Sequence, residues 1–279
     1  RFGRCPTICQ LTSVIRIGSI GGAVFGGILS DYLGYEVAFT IFGVFTLIGF
    51  AAWIRKSTYM DKEKTITSGR DLSGFTHVLR DSRVLVLSVA SMFGGLVFSG
   101  LIGATLGHFL RHRYGLEFDI VSITFGVATI TGFALGLKSF AEVLVGPFGG
   151  YFSDRYGRYK SLVISAALTS IGLFILGFSS TLLITITVLL LVFITGVMMM
   201  MQLLSLVGMA VNEESRSQVF SVFNTFQDFG SALGPLIGLS LISANLLPAL
   251  YSISGILLFI LILAACLFLS KNMVSTDPH

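Results

Sequence analysis

The chain alternates long apolar stretches with short polar breaks, and within the stretches apolar residues point to every side rather than forming one stripe. A helix that is apolar all round belongs in a protein core or a bilayer. Eight stretches predict helices: about residues 7–30, 36–54, 84–110, 120–150, 160–178, 181–210, 217–243 and 247–270. Their lengths lie around the roughly 20 residues that a hydrocarbon core demands. Residues 161–212 and 229–270 contain no Asp, Glu, Lys or Arg, and each is long enough for two spans and a turn. Strands of a membrane barrel would be about 10 residues long and would alternate in polarity, which these do not. The expected fold is an all-α, polytopic membrane helical bundle.

Composition sharpens the exclusion. Of 279 residues 54% are apolar and 11% charged, too few polar groups to coat a water-soluble globule, so an ordinary soluble enzyme is excluded. The formal charge of +4 is scattered between spans rather than gathered on one face, so nucleic acid is not an expected partner. Cys5, Cys9 and Cys266 make neither a disulfide framework nor a metal-ligand spacing, and no metal or cofactor is expected. The chain opens on Arg1, without an initiator Met or a signal-peptide pattern, and is expected to be truncated at its start.

Basic residues set the orientation. One set of connections holds Arg55, Lys56, Lys62, Lys64, Arg70, Arg80, Arg83, Arg155, Arg158, Lys160, Arg216 and Lys271, whereas the other holds Arg111 and Arg113. The richer set lies on the cytoplasmic side, which places the C-terminus inside, in what is expected to be the plasma membrane. Residues 56–83 read as a cytoplasmic linker. They separate residues 1–55, two helices of one unit, from residues 84–279, six helices of another. The stretch from Gly74 suits a short amphipathic helix on the membrane surface.

Shifting the chain by 212 positions aligns Arg4 with Arg216, Gly18 with Gly230, Gly22 with Gly234, Gly26 with Gly238 and Gly43 with Gly255. The first two helices then repeat the last two, and six helices per repeat imply four more before Arg1. Small residues four apart let membrane helices approach closely. Gly18, Gly22, Gly26, Gly27, Gly230, Gly234, Pro235 and Gly238 are therefore packing candidates, with gating as an alternative role.

After the fourth predicted helix comes GGYFSDRYGRYK, residues 149–160. Gly157 allows a sharp reversal, Asp154 can favour the start of the next helix, and Arg155 and Arg158 can pair with carboxylates. This turn, with Gly150, resembles the cytoplasmic signature loop of the major facilitator superfamily. GSIGGAVFGG from Gly18 is similar to an element in the fifth helix of that family's drug/proton antiporters, with Ala23 where the element carries proline. RSQVFSVFNTFQDFGSALGPLIG from Arg216 is similar to the eleventh helix. The resemblance implies that the chain covers helices five to twelve of twelve, that two bundles rock about a midplane site, and that the Asp154 to Arg158 turn locks one closed state. GILSDYLG from Gly27 has the Gly and Asp spacing but no arginine, and falls on the opposite face.

Ionisable groups within spans are expensive and are functional suspects by default. Asp228, expected near the midplane and buried, is a candidate for proton coupling or for an interhelical bond. Lys138 and Glu142, four apart, either neutralise each other or line a cavity, where Glu142 would exchange protons and Lys138 attract an anionic part of the cargo. Arg16 either holds an anion or snorkels. Asn224, Gln227 and Gln202 offer uncharged contacts, to cargo or between helices. Met198 to Met201 point in successive directions and read as core filling. His108 and His112 read as interfacial. No catalytic constellation is present. The expected activity is secondary active transport of a small solute by alternating access, through proton-coupled efflux, by a protein that is a monomer when complete. Uptake of a sugar or organic anion is the alternative, and a non-transporting receptor or scaffold a more distant one. With four helices of one bundle missing, this chain alone is expected not to transport.

Overall fold

The computed structural model describes residues 5–60, 80–115, 117–120, 123–211, 215–242 and 246–274. Among them, eight helices carry the fold: α1 (Cys5–Leu33), α2 (Tyr35–Met60), α3 (Ser82–Tyr114), α4 (Val127–Tyr156), α5 (Arg158–Phe178), α6 (Leu182–Met209), α7 (Arg216–Ile242) and α8 (Leu247–Val274). Six of them are long and apolar enough to cross a membrane: α2, α3, α4, α5, α6 and α8. The 27-residue α7 is not among the six, because Asn224, Gln227 and Asp228 dilute its apolar run.

Helix ends follow local chemistry. Asp81 starts α3, its carboxylate accepting the Arg83 N–H at 2.9 Å. One residue, Gly157 at φ 83°, separates α4 from α5; a side chain there would be strained. The signature turn is thus shorter than predicted. Helix α4 runs through the motif to Tyr156 rather than stopping near 150, because only Gly157 leaves the helical region. The start of α4 also differs from the expectation of 120. Residues Glu117–Ile120 and Ile123–Gly126 form an antiparallel hairpin, Ile120 opposite Ile123, and the helix begins at Val127. β-Branched residues flanking a two-residue connection favour that hairpin. Residues 61–79, which include most of the predicted linker and the start of the Gly74 stretch, lie outside the described residues.

Helix α3 is the centre of the bundle. It packs on α7, α6 and α8, while α5 packs between α6 and α8, and α4 joins α6 to α1. Leu87, Leu101 and Leu106 of α3 and Val222 and Phe223 of α7 are buried. At the α3–α7 seam the backbones touch. A Cβ on Gly230 would strike the Met92 carbonyl, and one on Gly100 would lie 2.6 Å from the Gly234 Cα. Hydroxyls tie the seams further. Ser91 donates to the Phe223 carbonyl at 3.1 Å, Ser170 to the Gly255 carbonyl at 2.7 Å, and Thr105 shares a 2.7 Å bond with the Tyr251 hydroxyl. Such contacts join helices in lipid, where apolar burial gives no preference for protein over tails. The periphery is apolar, with Phe39, Phe178, Leu183 and Leu236 exposed, a surface that lipid covers.

Candidate functional site

Helix α3 is irregular at mid-length, where Leu96–Leu101 form a π turn. Such turns recur at functional sites. This one carries Phe98 and Ser99, which line a cavity of 210 Å³ between α3, α4, α6 and α7. From α4 come Lys138 and Glu142, and from α7 Asn224 and Gln227. Apolar walls are supplied by Phe193, Met200, Met201 and Phe223 among others. The Lys138 ammonium donates to the Ser99 hydroxyl at 3.3 Å and to the Phe98 carbonyl at 3.5 Å, which ties α4 to the π turn. A cation, a carboxyl and two amides over an aromatic and thioether wall suit a small amphipathic solute, held by few polar contacts and broad apolar ones.

Four of the residues singled out from sequence therefore meet in one place. Two others do not join them. Gln202 is 2% exposed, away from the cavity; its side chain accepts from Ser165 at 2.7 Å and donates to Ser161, so it bolts α6 to α5. Asp228 is exposed at the surface of this chain, where the sequence led to an expectation of burial. One residue beyond Gln227, it is turned about 100° around α7, off the cavity. The side chain of Arg16 lies outside the described residues, as do the side chain of Asp154 and the surroundings of Gly150 in the signature turn. There Arg155 sits over the Tyr156 ring, its guanidinium carbon 5.9 Å from the centroid.

The methionine run divides as its helical spacing requires. Met199 is buried in the core, whereas Met200 and Met201 face the cavity. The glycine candidates also divide. Gly230, Gly234 and Gly238 abut α3, and Gly27 abuts the α4 backbone. Gly26 touches Phe42, but no described atom lies within 4 Å of a Cβ at Gly18 or Gly22. Phe98 and Ser99 were missed from sequence, because nothing in an apolar run marks a π turn.

A bundle of this shape, with six helices long and apolar enough to cross a membrane around a cavity that holds a few polar groups, defines a polytopic membrane protein. The Major Facilitator Superfamily profile matches residues 11–139 and 124–278, and the chain belongs to that family. It is 27% identical over 232 residues to multidrug resistance protein MdtG of Klebsiella pneumoniae (strain 342), covering 82% of this chain and 53% of that one. It is 24% identical over 249 residues to MdtG of Salmonella typhimurium, covering 87% and 58%. The chain thus spans about half the length of the curated relatives it matches. Among solved structures, a POT family transporter in complex with 5-aminolevulinic acid superposes with a TM-score of 0.55 at 14% identity, over 86% of this chain and 55% of that one. A POT family transporter in complex with a thioalcohol-conjugated peptide gives 0.55 at 13%, with the same coverage. These two likenesses concern the fold.

Proposed function

We propose that the chain works as part of a secondary active transporter that moves a small amphipathic solute by alternating access, coupled to protons and directed outward. The observation that carries this reading is the convergence of Lys138, Glu142, Asn224 and Gln227 on one cavity between α3, α4, α6 and α7. Charged groups there are costly unless they serve a pathway. The names of the MdtG relatives support the outward direction. On this reading residues 1–55 supply the last two helices of one bundle and residues 84–279 all six of the other. The C-terminus lies in the cytoplasm, and the Asp154 turn closes the cytoplasmic face. Glu142, which lines the cavity, replaces Asp228 as the first candidate to exchange protons with the driving gradient.

Lys138 supports the second reading, uptake of an anionic solute, since an ammonium beside amide groups can hold a carboxylate. Proteoliposomes holding the complete transporter separate the two. A panel of cationic, neutral and anionic amphipathic tracers is offered under an imposed pH gradient. Proton-coupled efflux predicts that Glu142→Gln lowers gradient-driven transport at least tenfold, while Lys138→Met changes which tracers move. If Glu142→Gln leaves gradient-driven transport intact and Lys138→Met abolishes anion movement alone, the uptake reading replaces the first. If no tracer moves in any background, both readings fail.

A further inference from the structure

Helix α4 has a glycine, Gly126, before its first turn, and no side chain of its own meets the free N–H groups there. They are met from another helix. The Asp31 carboxylate, near the end of α1, accepts the Thr129 N–H at 2.6 Å and the Ala128 N–H at 3.3 Å. A carboxylate at this position satisfies orphan donors and opposes the positive end of the helix dipole. The fit is close, because a Cβ on Gly126 would collide with the Asp31 carboxylate. One turn deeper the two backbones touch. Gly27 has no room for a side chain against Ala128, nor has Gly132 against Ala23.

This cap differs from an ordinary one in where it comes from and what surrounds it. Its acceptor stands 97 and 98 residues away from its donors, so it persists only while α1 and α4 remain side by side. Asp31 is exposed, which lets water take over its hydrogen bonds when the helices part and keeps the contact weak enough to reverse. It also borders a cleft of 590 Å³ between α1, α3 and α4 that Tyr35, His108 and Arg111 line as well. The site lies at the end of the 30-residue α4 remote from Gly157, about 45 Å along the helix.

Resting on the alternating-access reading, we infer that Asp31 is a latch for the membrane face opposite the Asp154 turn. In the closed face it caps α4 across the boundary between the bundles, and it releases that cap each time the face opens. The two faces are then closed by different means. An arginine-bearing turn serves one, and the other uses a lone aspartate, in a sequence that has the Gly and Asp spacing of the signature but none of its arginines, set against a helix that lacks a side-chain cap.

The test measures pulsed-EPR distances between spin labels at Tyr32→Cys on α1 and Arg113→Cys on α3, in the membrane-reconstituted transporter with native cysteines replaced. The parent is expected to show a short distance and a longer minor one. Asp31→Ala should raise the long-to-short ratio roughly tenfold, and Asp31→Asn, which keeps an acceptor oxygen, should stay within about threefold of the parent. Should the alanine variant not fold, Asp31→Ser, too short to reach both amides, takes its place. A parent with two populations whose ratio Asp31→Ala does not move overturns the latch and leaves alternating access standing. A single distance in every background overturns both.

Discussion

The last two helices and the first two carry glycines at matching positions, yet the structure uses them differently. In α7 and α8, Gly230, Gly234, Gly238 and Gly255 each press on a neighbouring helix. In α1 and α2, their counterparts Gly18, Gly22 and Gly43 meet no described atom within 4 Å, and Gly26 meets only Phe42. Burial follows the same division, with 6% of the α2 span buried against 44% of the α8 span. A small residue is a packing device only where a partner helix is present. In α7 that partner is α3, whereas among the described residues of α1 the close backbone approach is on its other side, where Ala23, Gly27 and Asp31 face α4. The matched spacing with unmatched surroundings suits a pair of helices whose remaining partners belong to the other bundle, as proposed above.

The largest expected effect comes from paired substitutions at equivalent glycines. In this chain Gly234→Ala should destabilise the folded bundle by about 3 kcal/mol, because its Cβ must force α7 away from the Gly100 backbone. Gly22→Ala should be neutral or stabilise by up to about 1 kcal/mol through helix propensity. Unfolding in mixed micelles measures both. In the complete transporter the Gly22 substitution should become costly too, and equal tolerance in both settings would break the correspondence. A smaller effect, about 1 kcal/mol, is expected for Gln202→Leu, which removes the bonds between α5 and α6. Tracer affinity should stay unchanged, since Gln202 lies away from the cavity; a rise in KM would place it among the cargo contacts.

Much of this architecture was legible from the sequence. Helix existence follows from apolar runs, and most ends fall within a few residues of expectation, because Gly157 and the acidic cap at Asp81 act locally. What was not legible depends on neighbours. A largely apolar helix gives no stripe to say which face turns inward, so the chain alone does not show that Gln227 faces the cavity and Asp228 does not. The π turn in α3 sits where Lys138 and the Gly234 backbone meet it, and neither contact leaves a mark on residues 96–101. The stretch around Asp31 lacks the arginines of the signature, and the partner of Asp31 is the backbone of a helix about 100 residues away, which no local motif can show.

Access to the cavity from both membrane faces tests the central claim most directly. Asn224→Cys, in a transporter whose other cysteines are replaced, puts a reactive thiol on an exposed, cavity-lining position. A membrane-impermeant maleimide is added to one face of sealed vesicles at a time. The account predicts labelling from either face, with a larger cargo-mimicking tracer slowing both reactions. Labelling from one face alone, under every gradient applied, would contradict it.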